Sequence, residues 1–164
     1  MALPVCAILG VGPGNGLSIA RKFAAEGYAL ALGARRGDTM EAAAHDLPQA
    51  RGFACDVTDK ASVERTLDAI ATDLGPVDTL VYNAGSAAWG TIDDISRDDM
   101  ERGFAVNATG LSGAAQAVLP QMRARGAGNI VVIGAGAALR GRPGTIAFAA
   151  GKAAQRSIAQ SLAR

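Results

Sequence analysis

The segment VCAILGVGPGNGL, residues 5–17, decides the fold class. Its apolar half, Val5–Leu9, predicts a short buried strand, and the apolar spacing from Leu17 to Glu26 predicts a helix. Four glycines lie between them, where they let a backbone approach a pyrophosphate, and a helix start adds free N–H groups and a positive dipole end. The pattern indicates a dinucleotide-binding turn, with a plain glycine turn as the alternative. The predicted contacts are Gly10, Gly12, Gly14, Asn15, Gly16 and Leu17.

The rest of the chain alternates short apolar runs with segments of helical periodicity. The further strands are predicted at residues 28–33, 51–55, 79–82 and 130–133. The further helices are predicted from Asp38 as N-cap to about 45, over 60–73, over 97–125 after the cap Ser96, and from Thr145 onward, still running at Arg164. Continuous apolar strands with helices between them predict a three-layer, doubly wound parallel α/β sheet of about five strands. Residues 1–164 are expected to form a single Rossmann-type domain.

Composition excludes several classes of protein. The 164 residues carry 16 Lys and Arg against 15 Asp and Glu, a formal net charge of +1, which argues against the basic stripe of a nucleic-acid binder. Hydrophobic residues make up 49% and charged residues 19%, which argues against disorder. A strand with its crossover helix takes roughly 30 residues, so about five such units fill the chain.

The sequence also predicts a location. The first residues lack the basic n-region of a signal peptide, and the longest later apolar run, Ile130–Leu139, is too short to span a bilayer. Cys6 and Cys55 lie in apolar, strand-like contexts without metal-ligand spacing, which predicts buried thiols in a reducing compartment and no bound metal. We therefore expect a cytoplasmic protein without a membrane partner.

The end of the second predicted strand bears on the choice of dinucleotide. An acidic residue there would bind the ribose 2′-hydroxyl of NAD. This sequence instead reads Gly33-Ala34-Arg35-Arg36, in which Ala34 cannot accept such a hydrogen bond. The guanidiniums of Arg35 and Arg36 can pair with a 2′-phosphate and stack on an adenine, which favours NADP over NAD. The alternative is two solvated arginines at a helix start.

Further segments resemble, in the same order along the chain, the motifs of the short-chain dehydrogenase/reductase family. The glycine spacing from Gly10 to Gly16 fits that family, and so does the frame in which Pro143-Gly144 precedes Phe148 and Lys152. The other matching segments are Asp56-Val57, Asn83-Ala84-Gly85 and the stretch around Asn107. This resemblance implies a nicotinamide-dependent oxidoreductase with a Rossmann-like fold.

The resemblance also assigns roles to these positions. Asp56, followed by Val57, would bond the adenine amine, and Asn107 would be a catalytic residue. Lys152 would bind the nicotinamide ribose, while the tyrosine that protonates the substrate oxygen is replaced here by Phe148. The serine that holds this oxygen is replaced, in the same way, by Ala135. Asn83, Ala84 and Gly85 would line the cofactor.

Neither a phenyl ring nor a methyl group can donate a proton. The two side chains that replace the family's tyrosine and serine therefore cannot perform their part of the reaction. The leading hypothesis is an NADP-dependent reductase or dehydrogenase with an impaired or atypical proton donor, which Lys152, a water or the hydroxyl of Thr145 would replace. The alternatives are a non-catalytic NADP(H)-binding partner subunit and a truncated fragment. Trp89 is expected near the mouth of the cleft, against the substrate or a neighbouring subunit.

The resemblance also concerns the segments outside the cofactor half. The long helix around Asn107 and the last helix resemble the pair through which family members form dimers and tetramers, so we expect a homo-oligomer. The small-molecule substrate is not readable from the chain. A sixth strand and a substrate lid would follow Arg164 in the family, and without them the fifth strand would be an open sheet edge.

Overall fold

The computed structural model of the protein describes residues 2–164 and contains a five-stranded sheet. All neighbouring strands are parallel, in the spatial order β3-β2-β1-β4-β5. The expected doubly wound α/β class is therefore confirmed. The strands are β1 (Val5–Leu9), β2 (Ala29–Ala34), β3 (Ala50–Ala54), β4 (Val77–Tyr82) and β5 (Asn129–Val132).

The helices cover both faces of the sheet. Ser96 starts α4 with a capping box, as predicted, since its hydroxyl accepts from the Asp99 amide and the Asp99 carboxylate accepts from the Ser96 amide. The helices are α1 (Asn15–Ala25), α2 (Gly37–Ala44), α3 (Lys60–Asp73), α4 (Arg97–Phe104), α5 (Gly110–Arg125) and α6 (Ile146–Leu162), with a π-helical segment (Ala105–Thr109) between α4 and α5.

Some of the predicted boundaries are wrong. Asp38 is not the N-cap of α2, because the helix begins at Gly37 and places Asp38 in its first turn, where the carboxylate still favours the helix dipole. The last helix ends at Leu162 and does not continue through Arg164. The helix predicted over 97–125 is interrupted by the π segment, and β4 begins two residues before the predicted Thr79.

The alternation of side chains along each strand builds two apolar layers. Ala7 and Leu9 of β1 belong to the cluster that packs against α3 and α5, whereas Cys6 and Ile8 belong to the cluster that packs against α1 and α2. All four side chains are fully buried. Helices therefore cover both faces of the sheet. Because side chains on both faces of β1 are buried, this strand is a continuous apolar run in the sequence.

The strand order places a cleft at the carboxyl ends of β1 and β4. The chain proceeds from β1 through β2 to β3 on one side, then returns to β4 and β5 on the other. Ligands of open α/β sheets bind at such a switch point. In the described residues, β5 pairs only with β4, and Val131 on β5 is 41% exposed. No helix among residues 2–164 is both long and apolar enough to cross a membrane.

Candidate cofactor and catalytic site

The turn after β1 needs glycine at two positions for packing. Gly10 has a φ of +88°, and a Cβ on it would lie 2.3 Å from Cα of Ala84. A Cβ on Gly16 would lie 2.7 Å from Cα of Val11. Because real Cβ atoms do not approach backbone so closely, these glycines set how tightly the turn, α1 and the end of β4 pack together.

The other two glycines of the turn leave an open surface. A Cβ on Gly12 or Gly14 would meet no atom within 4 Å. Gly14 is the N-cap of α1 and supplies no side chain to the helix start. The amide of Leu17 donates to the Gly12 oxygen, so this predicted contact is used inside the turn. The helix start next to Asn15 therefore faces the cleft without a side-chain cap, which suits a phosphate.

The end of β4 is tied to this turn. Asn83 donates from its backbone amide to the Leu9 oxygen at 2.9 Å and from Nδ2 to the Gly10 oxygen at 2.7 Å. Ala84 is buried against Gly10, and the next residue, Gly85, is exposed. The predicted residues 83–85 therefore form the wall of the cleft beside the glycine turn.

At the other end of the cleft, the side chains that follow β2 and β3 are polar. Arg35 and Arg36 are exposed. The Oδ1 of Asp56 accepts from the hydroxyl and the amide of Thr58, at 2.7 and 2.9 Å. These bonds, and the charge of Arg35, lower the pKa of the Asp56 carboxyl, so it is a carboxylate at neutral pH. Val57 beside it is half-buried.

Asn107 lies in the π segment, which the sequence did not predict. Tyr82 donates its hydroxyl to the Val106 oxygen at 2.5 Å, and Asn107 donates from Nδ2 to the oxygens of Gly103 and Ser86, both at 2.9 Å. The Tyr82 hydroxyl and the Asn107 amide thus donate to carbonyl oxygens in and next to the π segment, and π segments are frequent at functional sites. Tyr82 is fully buried, and burial raises the pKa of its phenol, so it is a structural residue.

Lys152 is a buried cation on α6. Its Nζ donates to the Ile133 oxygen at 3.0 Å and to Oε1 of Gln155 at 2.8 Å, and the residue is only 5% exposed. Burial lowers the pKa of this ammonium. Sequence reasoning missed Gln155, although a glutamine on the same helix face as Phe148 and Lys152 was a visible signal.

Asn107 and Lys152 border the same small space, which we call the Gly85 niche. A Cβ on Gly85 would lie 3.6 Å from Oδ1 of Asn107 and 3.6 Å from Nζ of Lys152. Oδ1 of Asn107 is buried and has no hydrogen-bond partner among the described residues. A buried acceptor without a partner and an ammonium group fit a ligand that carries hydroxyl groups. The niche and the open glycines therefore fit a nicotinamide dinucleotide.

The two positions at which the resemblance leads us to expect catalytic hydroxyls, 148 and 135, carry apolar side chains. Phe148 is half-buried one turn before Lys152, and its ring packs on that of Trp89 with centroids 5.0 Å apart. Ala135 precedes a short 3-10 turn, Gly136–Ala138, that packs on α6. Thr145 uses its hydroxyl at the start of α6, where it accepts from the Arg142 amide and donates to the Arg142 oxygen. Trp89 is 65% exposed, so the aromatic pair lies at the surface of the molecule.

Comparison with known proteins shows the family of the chain. A family model described as short chain dehydrogenase matches residues 4–164. The 2,3-dihydro-2,3-dihydroxybenzoate dehydrogenase of Bacillus subtilis (strain 168) is 33% identical over 151 residues, which cover 90% of this chain and 58% of that protein. The chain thus spans somewhat more than half the length of this relative.

Two solved structures resemble the whole described fold. One is an alcohol dehydrogenase from the archaeon Thermococcus sibiricus complexed with 5-hydroxy-NADP, with a TM-score of 0.91, 30% identity, and coverage of 98% of this chain and 70% of that one. The other is an NAD+-bound xylitol dehydrogenase, with a TM-score of 0.92, 32% identity, and coverage of 97% and 63%. Both nicotinamide dinucleotides therefore occur among the structural neighbours.

Proposed function

The chain belongs to the short-chain dehydrogenase family of oxidoreductases, and from this we propose that it transfers hydride between NADP(H) and a carbonyl or alcohol substrate. The observation that carries the proposal is the Gly85 niche, in which the unpartnered Asn107 Oδ1 and the Lys152 ammonium face one space. Without a ligand in the niche, the buried Asn107 oxygen would carry a desolvation cost without a compensating hydrogen bond.

The preference for NADP rests on Arg35 and Arg36. Both are exposed directly after β2, and the charge of Arg35 acts on Asp56 across the adenine end of the cleft. Neither arginine forms an ion pair among the described residues, so both guanidiniums are available for a 2′-phosphate. NAD offers no phosphate at this place and would leave them solvated.

Each part of the cleft has its own role in this proposal. When bound, the dinucleotide supplies the hydride. The open glycines and the start of α1 hold the pyrophosphate, and Asn107 and Lys152 hold the ribose next to the nicotinamide. Lys152 is the proton donor in our proposal, because burial lowers the pKa of its ammonium and brings it closer to that of an efficient general acid at neutral pH.

A second candidate is an NADP(H)-binding protein that does not turn over substrate. The observation in its favour is the pair of apolar side chains, Phe148 and Ala135, where the family resemblance places the proton donor and its helper. Loss of one general acid typically lowers the rate by about 10²–10⁴, and loss of one oxyanion donor by about 10²–10³.

Two measurements test the proposal. Trp89 is the only tryptophan in the sequence and lies beside Phe148, so its fluorescence reports binding of NADPH in a titration. Turnover is followed as NADPH oxidation with a panel of ketones and aldehydes. Binding with turnover supports the enzyme, binding without turnover supports the second candidate, and no binding of NADPH or NADH contradicts both.

The pH dependence tests the role of Lys152. Its pKa lies below the ordinary value of 10.5, so the ammonium is present at low pH and is lost as the pH rises through the lowered value. We expect turnover and NADPH affinity to fall on an alkaline limb that begins below pH 10.5, and Lys152→Met to abolish this limb. Lys60→Met is the matched control, because Lys60 is exposed and paired with Glu64.

The helices α4–α5 and α6 bear on the assembly of the protein. We propose a homo-oligomer that packs through α4–α5 and α6, which carry the exposed Phe104 and Leu162, and light scattering after gel filtration measures its mass. The mass of a monomer at micromolar concentration would contradict the oligomer.

We also propose a cytoplasmic location, because Cys6 and Cys55 are free and buried, and burial raises the pKa of the Cys6 thiol to about 12.

A further inference from the structure

Gln155 is buried beside Lys152 without a role in the proposed chemistry so far. It lies on α6, three residues after Lys152, and its side chain has no exposed surface. Its Oε1 accepts from Nζ of Lys152 at 2.8 Å. Its Nε2 is buried and has no hydrogen-bond partner among the described residues. A buried carboxamide with one unpaired group costs stability relative to an apolar side chain, so a purely packing role explains Gln155 poorly.

The geometry defines what this carboxamide does to the lysine. The Lys152 ammonium has three N–H donors, of which two point to fixed acceptors, the Ile133 oxygen at the end of β5 and Oε1 of Gln155. These two acceptors leave one donor for the Gly85 niche, which Nζ borders. The ammonium is thus held at two points while its third donor remains available.

We propose that Gln155 is a positioning residue for Lys152, which holds the ammonium at the Gly85 niche with its third donor directed into the niche, where the cofactor and the substrate would meet it. The proposal rests on the proposed function for the role of Lys152, but the hydrogen bond itself can be tested without cofactor.

The chemistry of a carboxamide suits this task better than the two nearest alternatives. A carboxylate at position 155 would form a buried ion pair, neutralise the ammonium and raise its pKa. An apolar side chain would leave the ammonium with one protein acceptor in a buried place and lower its pKa further. A neutral acceptor orients the lysine and leaves its charge for the cofactor.

Among residues 2–164, no charged group forms an ion pair with Lys152. Burial is the sole cause that lowers the pKa of Lys152. Its helix packs on the π segment, the Gly136–Ala138 turn, α4 and α5, and the first two contain no ionisable residue. On α5, the ionisable residues are Arg123 and Arg125 in the last turn; both are exposed, and Arg125 pairs with Asp78. On α4, Arg97 pairs with Glu101 and Arg102 with Asp99 at its exposed surface, and Asp98 is exposed. On α6 itself, Arg156 is exposed.

The test uses the fact that the chain has three lysines. With lysine labelled by carbon-13 at Cε, an NMR titration gives three signals, and the exposed Lys22 and Lys60 serve as internal references. In Gln155→Met, we expect the Lys152 midpoint to move down by about one pH unit, and in Gln155→Glu to move up by at least as much. The control is Gln160→Met, an exposed glutamine of the same helix, which should leave the midpoint unchanged.

Cofactor binding provides a second readout. We expect Gln155→Met to weaken NADPH binding about tenfold at pH 7. This factor corresponds to the smallest free energy that one charge-assisted hydrogen bond contributes. In a Lys152→Met background, the same substitution should have no further effect, because Gln155 acts through the lysine. Circular dichroism confirms the fold of each variant. If Gln155→Met does not fold, the test rests on Gln155→Glu, a nearly isosteric change. An upward shift of the Lys152 midpoint in that variant then supports the positioning role, and an unchanged midpoint overturns it.

The outcomes separate this proposal from the proposed function. Midpoints of Lys152 that stay at the wild-type value in both variants overturn the positioning role, whether or not NADPH binds. Additive losses of NADPH affinity in the double variant also overturn it. If NADPH does not bind the wild type, the proposed function fails, and opposite shifts of the midpoint still support control of Lys152 by Gln155.

Discussion

The two ends of the cleft are built in different ways. At the turn after β1, the shape is made by backbone: Gly10 and Gly16 are in close contact with their neighbours, and Gly12 and Gly14 are open. Where α6 meets the π segment, the shape is made by buried side chains: Lys152 donates to Gln155 and to the Ile133 oxygen, and Asn107 donates to the oxygens of Ser86 and Gly103. The first end has no room for an added Cβ at its packed glycines. The second end carries Phe148 and Ala135 where the resemblance predicts two hydroxyls, but it retains Asn107 and Lys152. We therefore expect substitutions at the two ends to change cofactor binding and proton transfer separately.

The largest effect is expected from restoring the missing hydroxyls at the second end. Phe148→Tyr combined with Ala135→Ser supplies a general acid and an oxyanion donor next to the retained Lys152. We expect the rate of carbonyl reduction to rise by roughly 10²–10⁴, with little change in NADPH affinity. Steady-state kinetics with NADPH and the ketone panel measure it. Phe23→Tyr, on α1 away from the cleft, is the control. An unchanged rate in a folded, NADPH-binding double variant would show that the second end lacks more than hydroxyls.

A substitution at the first end should affect folding more than chemistry. Gly10→Ala places a methyl 2.3 Å from Cα of Ala84 at a φ of +88°. We expect a loss of about 2–5 kcal/mol in the free energy of unfolding, measured by urea denaturation. Gly12→Ala, whose methyl meets no atom within 4 Å, should keep the stability and weaken NADPH binding instead. Equal stabilities of the two variants would contradict the division between packed and open glycines.

The adenine end should discriminate between the two dinucleotides. In the double variant Arg35→Ser/Arg36→Ser we expect NADPH affinity to fall by roughly 10–100-fold, the loss of charge-assisted hydrogen bonds to a phosphate, while NADH affinity changes little. Isothermal titration calorimetry with both dinucleotides measures the ratio. Arg123→Ser, an exposed arginine in the last turn of α5, is the control. Equal losses for NADPH and NADH would contradict the assignment of the 2′-phosphate.

The smallest effect is expected at the rim of the second end. Trp89→Ala removes the ring that packs on Phe148 at 5.0 Å between centroids, an aromatic contact worth about 0.5–1.5 kcal/mol. We expect a loss of that size in the free energy of unfolding, followed by far-ultraviolet circular dichroism in urea, and a several-fold increase in KM for apolar ketones. Ile92→Ala, another exposed apolar side chain of the same loop, should change neither quantity.

Much of the fold could be predicted from local pattern. The predicted bounds of β1 and α3 are confirmed without change, because an uninterrupted apolar run and a capped amphipathic helix each carry their own signal. The interruption of the long helix was not predicted from local pattern; at this place the hydroxyl of Tyr82, 24 residues away along the chain, donates to the Val106 oxygen.

For the site, the sequence by itself determined which side chains are present and in what order. The resemblance predicts roles for Gly10, Asn107 and Lys152 from motif and order, and it predicts hydroxyls where this chain has Phe148 and Ala135. Only the tertiary structure decided how the polar groups are used, because hydrogen-bond partners in a parallel sheet come from strands and helices distant in sequence. It brought the Asn107 oxygen and the Lys152 ammonium to one space beside Gly85, and it placed Gln155 as the acceptor that holds the lysine there.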